Sequence, residues 1–259
     1  MNVIQMMERT DFYNDRYKSA RFSDSNYMDA FNSACQALFK DKTDNKKIKR
    51  PYSFQSSEQM NRELYTLIKT ATIVPTGDVV VYPADFEYYA KLTTTISGTT
   101  MFARPATLNE IGPLEQHPLR KPSASKPYYI ETATGLQIYY GTGTFTSSSL
   151  TYLKTPNVMS IGNEDDKISS GANVLTNGVV YMVYEDCVQN GTTYYAGETF
   201  TAVGTSLTSG IVILNSIIVN CDFPEIVQDE ICKKASEIMN GTIEDYNKSM
   251  FMQKEIEKQ

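Results

Sequence analysis

The amino-acid sequence predicts an α+β protein on three observations. Both ends show helical periodicity, the pattern changes to two-residue periodicity from about Thr72, and the interior is β-branched and aromatic with turns at Gly77, Gly98, Gly135 and Gly143. The expected architecture is a helical portion made from both termini, a β-sandwich or barrel-like body, and a small β module inserted into it. The boundaries fall at 1–71 for the N-terminal helical part, 72–162 and 210–222 for the β body, 163–209 for the inserted module, and 223–259 for the C-terminal helices.

Each element has its own signal. Ser23 and Asp24 form a cap ahead of Tyr27, Phe31, Ala34, Leu38 and Phe39, whose three- and four-residue spacing gives a helix one apolar face. A basic stretch from Lys40 to Pro51 follows, and Met60, Leu64, Leu67, Ile68 and Ala71 then predict a second helix over 56–71. Strands are expected near 78–82, 88–97, 99–103, 127–133, 135–140 and 145–154, the pattern of a sandwich or barrel. The stretch 163–176 is polar. Beyond it, Gly178 to Tyr184, Asn190 to Phe200 and Gly210 to Leu214 read as short strands, with Asn190-Gly191 a strong hairpin signal. Pro224 suits a first helical position, and Glu225 and Asp229 suit the positive end of the helix dipole. Ile226, Val227, Ile231, Ala235, Ile238 and Met239 form an apolar stripe that ends at Gly241, and 242–258 continue as a charged, projecting helix. The terminal helices are expected to pack together, apart from the sheet.

Composition limits the function. With 259 residues, 41% of them apolar, the chain can bury a core and falls outside the disordered class. The longest apolar run, Ile211 to Val219, is broken by Asn215 and Ser216 and is shorter than the roughly 18 residues a membrane span needs, so no membrane association is expected. Met1 to Asp11 has neither the basic nor the apolar region of a secretory leader, which predicts synthesis in a cytoplasm. Cys35, Cys187, Cys221 and Cys232 lie far apart without metal-ligand spacing and are expected reduced and buried. A catalytic triad, a Cys/His dyad or a multi-histidine site would each need His117, the one histidine, which falls in a proline-punctuated loop. Gly141-Thr-Gly-Thr-Phe-Thr lacks the third glycine of a dinucleotide loop and precedes a strand. The acidic groups Glu164/Asp165/Asp166 and Glu185/Asp186 read as solvated turns. No catalytic residue, cofactor or metal is expected.

Surfaces are more informative. Lys46, Lys47, Lys49 and Arg50 read as a solvated linker or, in the sharper reading, as candidate DNA-facing residues, since phosphate affinity comes largely from such charges. A net charge of -6 disfavours sequence-reading nucleic-acid binding. Arg120 and Lys121 alternate with Pro118 and Pro122 in a rigid loop suited to protein contacts. The 18 tyrosines, Tyr128 and Tyr129 among them, pack a sheet that lacks Trp and also suit subunit interfaces, while an exposed sugar-binding platform is the alternative. Past Gly241, Tyr246, Met250 and Phe251 give the tail an apolar side of its own. Tyr128, Tyr129, Arg120, Lys121, Tyr246, Met250 and Phe251 are therefore the candidate subunit-interface residues.

Several motifs occur in a familiar order: Phe31-Asn-Ser-Ala-Cys-Gln-Ala-Leu-Phe39, Tyr82-Pro-Ala-Asp-Phe86, Pro118-Leu-Arg-Lys-Pro-Ser123, Ile138-Tyr-Tyr, Leu150-Thr-Tyr-Leu-Lys-Thr-Pro156 and Phe223-Pro-Glu-Ile-Val-Gln-Asp-Glu-Ile-Cys-Lys-Lys-Ala235. Together they resemble virion structural proteins of Bacteroides-infecting tailed phages, most nearly the head-to-tail ring or connector proteins of crAss-like phages. The likeness covers most of 20–160 and 210–258, and 163–209 interrupts it. Tyr184 to Phe200 is similar to a small β module of phage tail and fibre proteins, which implies a docking arm. The resemblance implies a virion location, a homo-oligomeric, twelve-fold ring stacked between portal and tail, portal and other ring or tail proteins as partners, and DNA passing through the bore. A tail-associated carbohydrate-binding or adhesin module is the alternative.

Overall fold

A computed structural model describes residues 1–14, 22–43 and 62–256, with side chains as far as Gly241 apart from that of Glu164. The chain is α+β, with three mostly antiparallel sheets, and divides into two compact units, Thr43–Thr155 and Met1–Lys42 with Pro156–Gln259.

Period-two alternation builds the first of these units. Its strands are β1 (Ile68–Ile73), β2 (Val79–Val81), β3 (Phe86–Ile96), β4 (Thr99–Phe102), β5 (Arg104–Pro105), β6 (Tyr128–Glu131), β7 (Gly135–Tyr139) and β8 (Phe145–Lys154). They form two four-stranded sheets, in the orders β1-β8-β3-β4 and β2-β7-β6-β5. Alternate residues from both sheets, Val80, Leu92, Tyr129, Leu136, Ile138, Leu150 and Tyr152, meet in one buried cluster, which makes the unit sandwich-like. Ser97 and Gly98, at φ 49° and 81°, close the β3–β4 hairpin as a turn with two left-handed residues requires. Pro105, which has no N–H to donate, sits in the short edge strand β5.

Two expectations change here. Residues 62–64 are helical and 65–67 a 3₁₀ turn, but Ile68 opens a strand whose partner across the ladder is Leu153. The ladder with β8 satisfies the backbone through Ile73, and Ala71 and Ile73 pack on the sandwich core, so sheet pairing overrides the helical spacing. The remainder of the helix expected over 56–71 lies outside the described residues. Conversely, a nine-residue helix, Leu108–Gln116, lies where no element is expected and runs into the proline-punctuated loop that holds His117. Thr107 and Glu110 form its capping box and Ile111 buries against Ala106 and Ile130, while Gly112-Pro113 gave it the look of a turn.

The other unit joins both termini to the third sheet. It contains α1 (Val3–Tyr13), α2 (Asp24–Thr43), the strands β9 (Lys167–Gly171), β10 (Val180–Gln189), β11 (Thr192–Tyr194), β12 (Thr199–Thr201) and β13 (Leu207–Leu214), and the long C-terminal helix; with Leu108–Gln116 as α3, that helix is α4 (Glu225–Ile256). The sheet order is β11-β10-β13-β9, with β12 also paired to β10. Asn190 and Gly191, at φ 51° and 77°, turn the β10–β11 hairpin that the sequence signalled. The helices carry their apolar faces inward through Val3, Met6 and Met7 of α1, Tyr27, Phe31 and Ala34 of α2, and Val227, Ile231, Cys232, Ala235 and Met239 of α4. Ile226 and Ile238, assigned to the same stripe, are 62% and 36% exposed. Asn32 grips Met159 through both backbone groups, donating to its carbonyl at 3.1 Å and accepting its N–H at 2.8 Å.

The boundaries at 162/163 and 209/210 do not coincide with structural ones. Residues 207–214 form β13, which pairs with β10 and β9, so 210–222 belong with 163–209 and not with 72–162. Gly210, the first residue after the expected module, is a mid-strand residue at φ +89° whose missing Cβ lets the carbonyl of Asp186 approach. The terminal helices do pack together, but in the same unit as this sheet. Asn2 Nδ2 donates to the carbonyl of Gly197, and the Tyr184 hydroxyl donates to Asp24 Oδ1 at 2.7 Å. The polar stretch 163–176 conceals β9, whose one apolar residue is Ile168.

Candidate functional site

Helix α3 shapes a hollow in the sandwich unit. The helix, the loop after it, and β5 and β6 enclose about 620 Å³. Its walls are Pro105, Ala106, Pro113, Leu114 and Tyr128, and its charged groups are Arg104, Arg120, Lys126 and Glu110. Position follows from local chemistry. The capping box fixes the start of α3, and Glu110 Oε2 accepts the Thr107 N–H at 2.8 Å, a bond that holds its carboxyl below the usual glutamate range. At the other end His117 caps the helix, and its Nδ1 accepts the backbone N–H groups of Leu119 and Arg120, both at 3.2 Å. The neutral ring therefore carries its hydrogen on Nε2. The ring organises the loop that presents Arg120.

A second hollow, about 410 Å³, is lined by Asp78, Glu115, Lys121, Gln137, Tyr139 and Tyr140 among others. The Tyr140 hydroxyl donates to Asp78 Oδ1 at 2.6 Å, and this bond pushes its pKa above the usual tyrosine value. Arg120 and Lys121, adjacent in sequence and paired as interface candidates, thus line different hollows.

The other candidates separate. Tyr129 is 3% exposed, with its ring centroid 5.1 Å from that of Tyr89, and burial drives its hydroxyl far above the usual tyrosine range. It is a core residue and not an available subunit contact. Tyr128 is half-buried against the small cluster under α3 and opens on the larger hollow. Tyr246, Met250 and Phe251 lie on α4, beyond the described side chains, and Lys46, Lys47, Lys49 and Arg50 lie outside the described residues. Tyrosine rings mostly pack cores. Tyr82 stacks on Phe86 at 4.0 Å and Tyr194 on Phe200 at 4.7 Å, and the Tyr140 ring packs tilted against Phe145 at 5.8 Å.

No protein-family model and no curated protein matches this sequence. Among the described residues, no group of three or more His, Cys, Asp or Glu is placed to hold a metal ion, and no helix is long and apolar enough to cross a membrane. The cysteines are unpaired thiols, three of them buried. Cys35 and Cys221, far apart in sequence, are neighbours in the fold. The interaction with Cys221 and then burial raise the Cys35 pKa, whereas Cys35 and the Phe223 backbone lower that of Cys221. Nothing in the spacing of the cysteines signalled this pair, because it joins α2 to the turn before α4.

Proposed function

We propose that this chain is a ring-forming structural subunit of the head-to-tail connector of a tailed bacteriophage, located in the virion between portal and tail, with DNA passing through the bore. The observation that carries the reading is where the motifs that resemble connector proteins fall. Tyr82-Pro-Ala-Asp-Phe86 and Leu150-Thr-Tyr-Leu-Lys-Thr-Pro156 converge on one cluster, in which the Tyr152 hydroxyl donates to Asp85 Oδ1 at 2.7 Å, Lys69 Nζ contacts Asp85 Oδ2 at 2.7 Å, and the Phe86 and Tyr152 rings lie 5.8 Å apart. The shared residues thus define a packing arrangement, as a structural protein requires.

The sandwich also has an open edge. All four residues of the edge strand β4 are exposed, and the Lys91 ammonium lies 4.7 Å from the centroid of the Phe102 ring. An edge of this kind is covered by pairing with another chain. A heterologous contact repeated by a closing rotation makes a ring, here of twelve copies, with portal and neighbouring ring or tail proteins as partners.

Native mass spectrometry and negative-stain electron microscopy of the full chain, alone and with portal, test the reading. A closed homo-oligomer that binds portal is expected. A strict monomer under both conditions would overturn it, and a monomer that binds glycans would favour the adhesin alternative.

A further inference from the structure

The hollow beside α3 carries positive charge that no described carboxylate neutralises. None of Arg104, Arg120 and Lys126 makes an ion pair with a described carboxylate, and Glu110, the one acid in the lining, is bound to the N-terminus of its own helix. The His117 Nε2–H adds a neutral donor, and Pro113, Leu114 and Leu119 add an apolar wall. Its size, about 620 Å³, is in the range that admits a drug-sized group or a few peptide side chains. Arginine at such a site favours planar oxyanions. The lining therefore suits a carboxylate-bearing segment with an apolar neighbour.

The charge distribution indicates where that segment comes from. Thr43–Thr155 has 12 basic and 9 acidic residues, a net +3, whereas the other unit has 12 basic and 21 acidic residues, a net -9. One unit of a copy is thus complementary to the other unit of the next copy, the arrangement that steers and orients a head-to-tail contact. Within the acidic unit, the start of α4 presents the required pair. Glu225 is exposed and has no basic partner among the described residues, and Ile226 beside it is exposed although the helix has a buried face to offer.

We propose that the basic hollow lined by Arg104, Arg120 and Lys126 receives the Glu225–Ile226 corner of a second copy of this chain. The proposal rests on the connector reading for the existence of the second copy and adds the residues through which copies meet. Nucleic acid is the rival occupant, and the net charge of -6 over the whole chain disfavours it.

Charge exchange tests the contact. Arg120→Glu and Glu225→Lys are both exposed substitutions, and circular dichroism checks that each variant folds. Each variant purified alone is expected to lose at least ten-fold in assembly affinity by analytical ultracentrifugation. Mixed in equal amounts they are expected to assemble again, since every contact between alternating copies then pairs opposite charges. Carbodiimide coupling of a mixture of isotope-labelled and unlabelled wild-type protein is expected to join Lys126 to Glu225 between copies.

A wild-type oligomer that survives both substitutions would overturn this contact and leave the connector reading standing, whereas a wild-type monomer overturns both. Variants that fail alone and stay separate when mixed overturn the pairing. Loss of binding to a 30-base-pair DNA duplex on Arg120→Glu, with assembly intact, assigns the hollow to nucleic acid and overturns the proposal.

Discussion

Asp24 Oδ2 and Lys167 Nζ form an ion pair at 2.7 Å with side chains only 14% and 13% exposed, and it ties the first turn of α2 to the first residue of β9. The same carboxylate accepts the Tyr184 hydroxyl through Oδ1, and the Lys167 ammonium lies 4.0 Å from the centroid of the Tyr184 ring. Burial, then the bond to Asp24, pushes the Tyr184 hydroxyl above the usual tyrosine value. A charge enclosed this far from water is costly to leave alone. Asp24→Ala removes this ion pair and the acceptor of the Tyr184 hydroxyl, and is expected to destabilise the protein by about 2 kcal/mol in urea denaturation. A loss below about 0.5 kcal/mol, the level of an ordinary surface substitution, would show that the pair does not hold α2 to the sheet.

Gly210 and Gly178 separate two reasons for glycine. Both have positive φ, +89° and +79°, but a Cβ on Gly210 would lie 2.4 Å from the Asp186 carbonyl oxygen and 2.5 Å from Cys187 Cβ, whereas nothing lies within 4 Å at Gly178. Alanine at 178 meets only the left-handed backbone penalty, about 1 kcal/mol. At 210 it must also part β13 from β10, and a total of about 3 kcal/mol is expected. Equal melting temperatures for the two variants would contradict the close approach.

Asp229 predicts an acid limb in the stability curve. Its carboxylate accepts the Tyr13 hydroxyl at 2.6 Å and contacts Lys233 at 2.9 Å and Arg9 at 3.0 Å, and these bonds, Tyr13 first, lower its pKa far below the usual aspartate value. A depressed folded-state pKa contributes stability above the unfolded value of about 3.9 and loses it as the pH falls toward the folded one. Asp229→Asn is therefore expected to be less stable than the parent at pH 7. The difference should narrow as the pH falls below about 4. Urea midpoints at pH 7 and pH 3 measure it, and a constant difference would refute the assignment.

The C-terminal tail separates folding from assembly. Among the described side chains the last buried one of α4 is Met239, and Asn240 Nδ2 donates to Asn14 Oδ1 at 2.9 Å, so the described contacts with α1 extend to Asn240. A chain ending at Gly241 is expected to keep its stability within about 0.5 kcal/mol. On the connector reading it fails to join the neighbouring ring or portal. Normal assembly of the truncated chain would make the tail a passenger.

By itself the sequence determined the elements whose signals are local. The alternation from Thr72 onward placed the sandwich strands, Asn190-Gly191 placed a hairpin because both positions need positive φ, and the spacing of Tyr27, Phe31 and Ala34 placed α2. Tertiary structure decided what depends on partners distant in the chain. Ile68 and Ala71 have helical spacing yet lie in β1, because the ladder with β8 satisfies their backbone. Gly210 looks like a hinge in sequence and is a packed strand residue only because β10 lies against it. The larger hollow was hidden for the same reason. Its lining comes from β5, α3, the following loop and β6, and Gly112-Pro113 masked the helix that shapes it. Periodicity reports which face of an element is apolar; it does not report what that face meets.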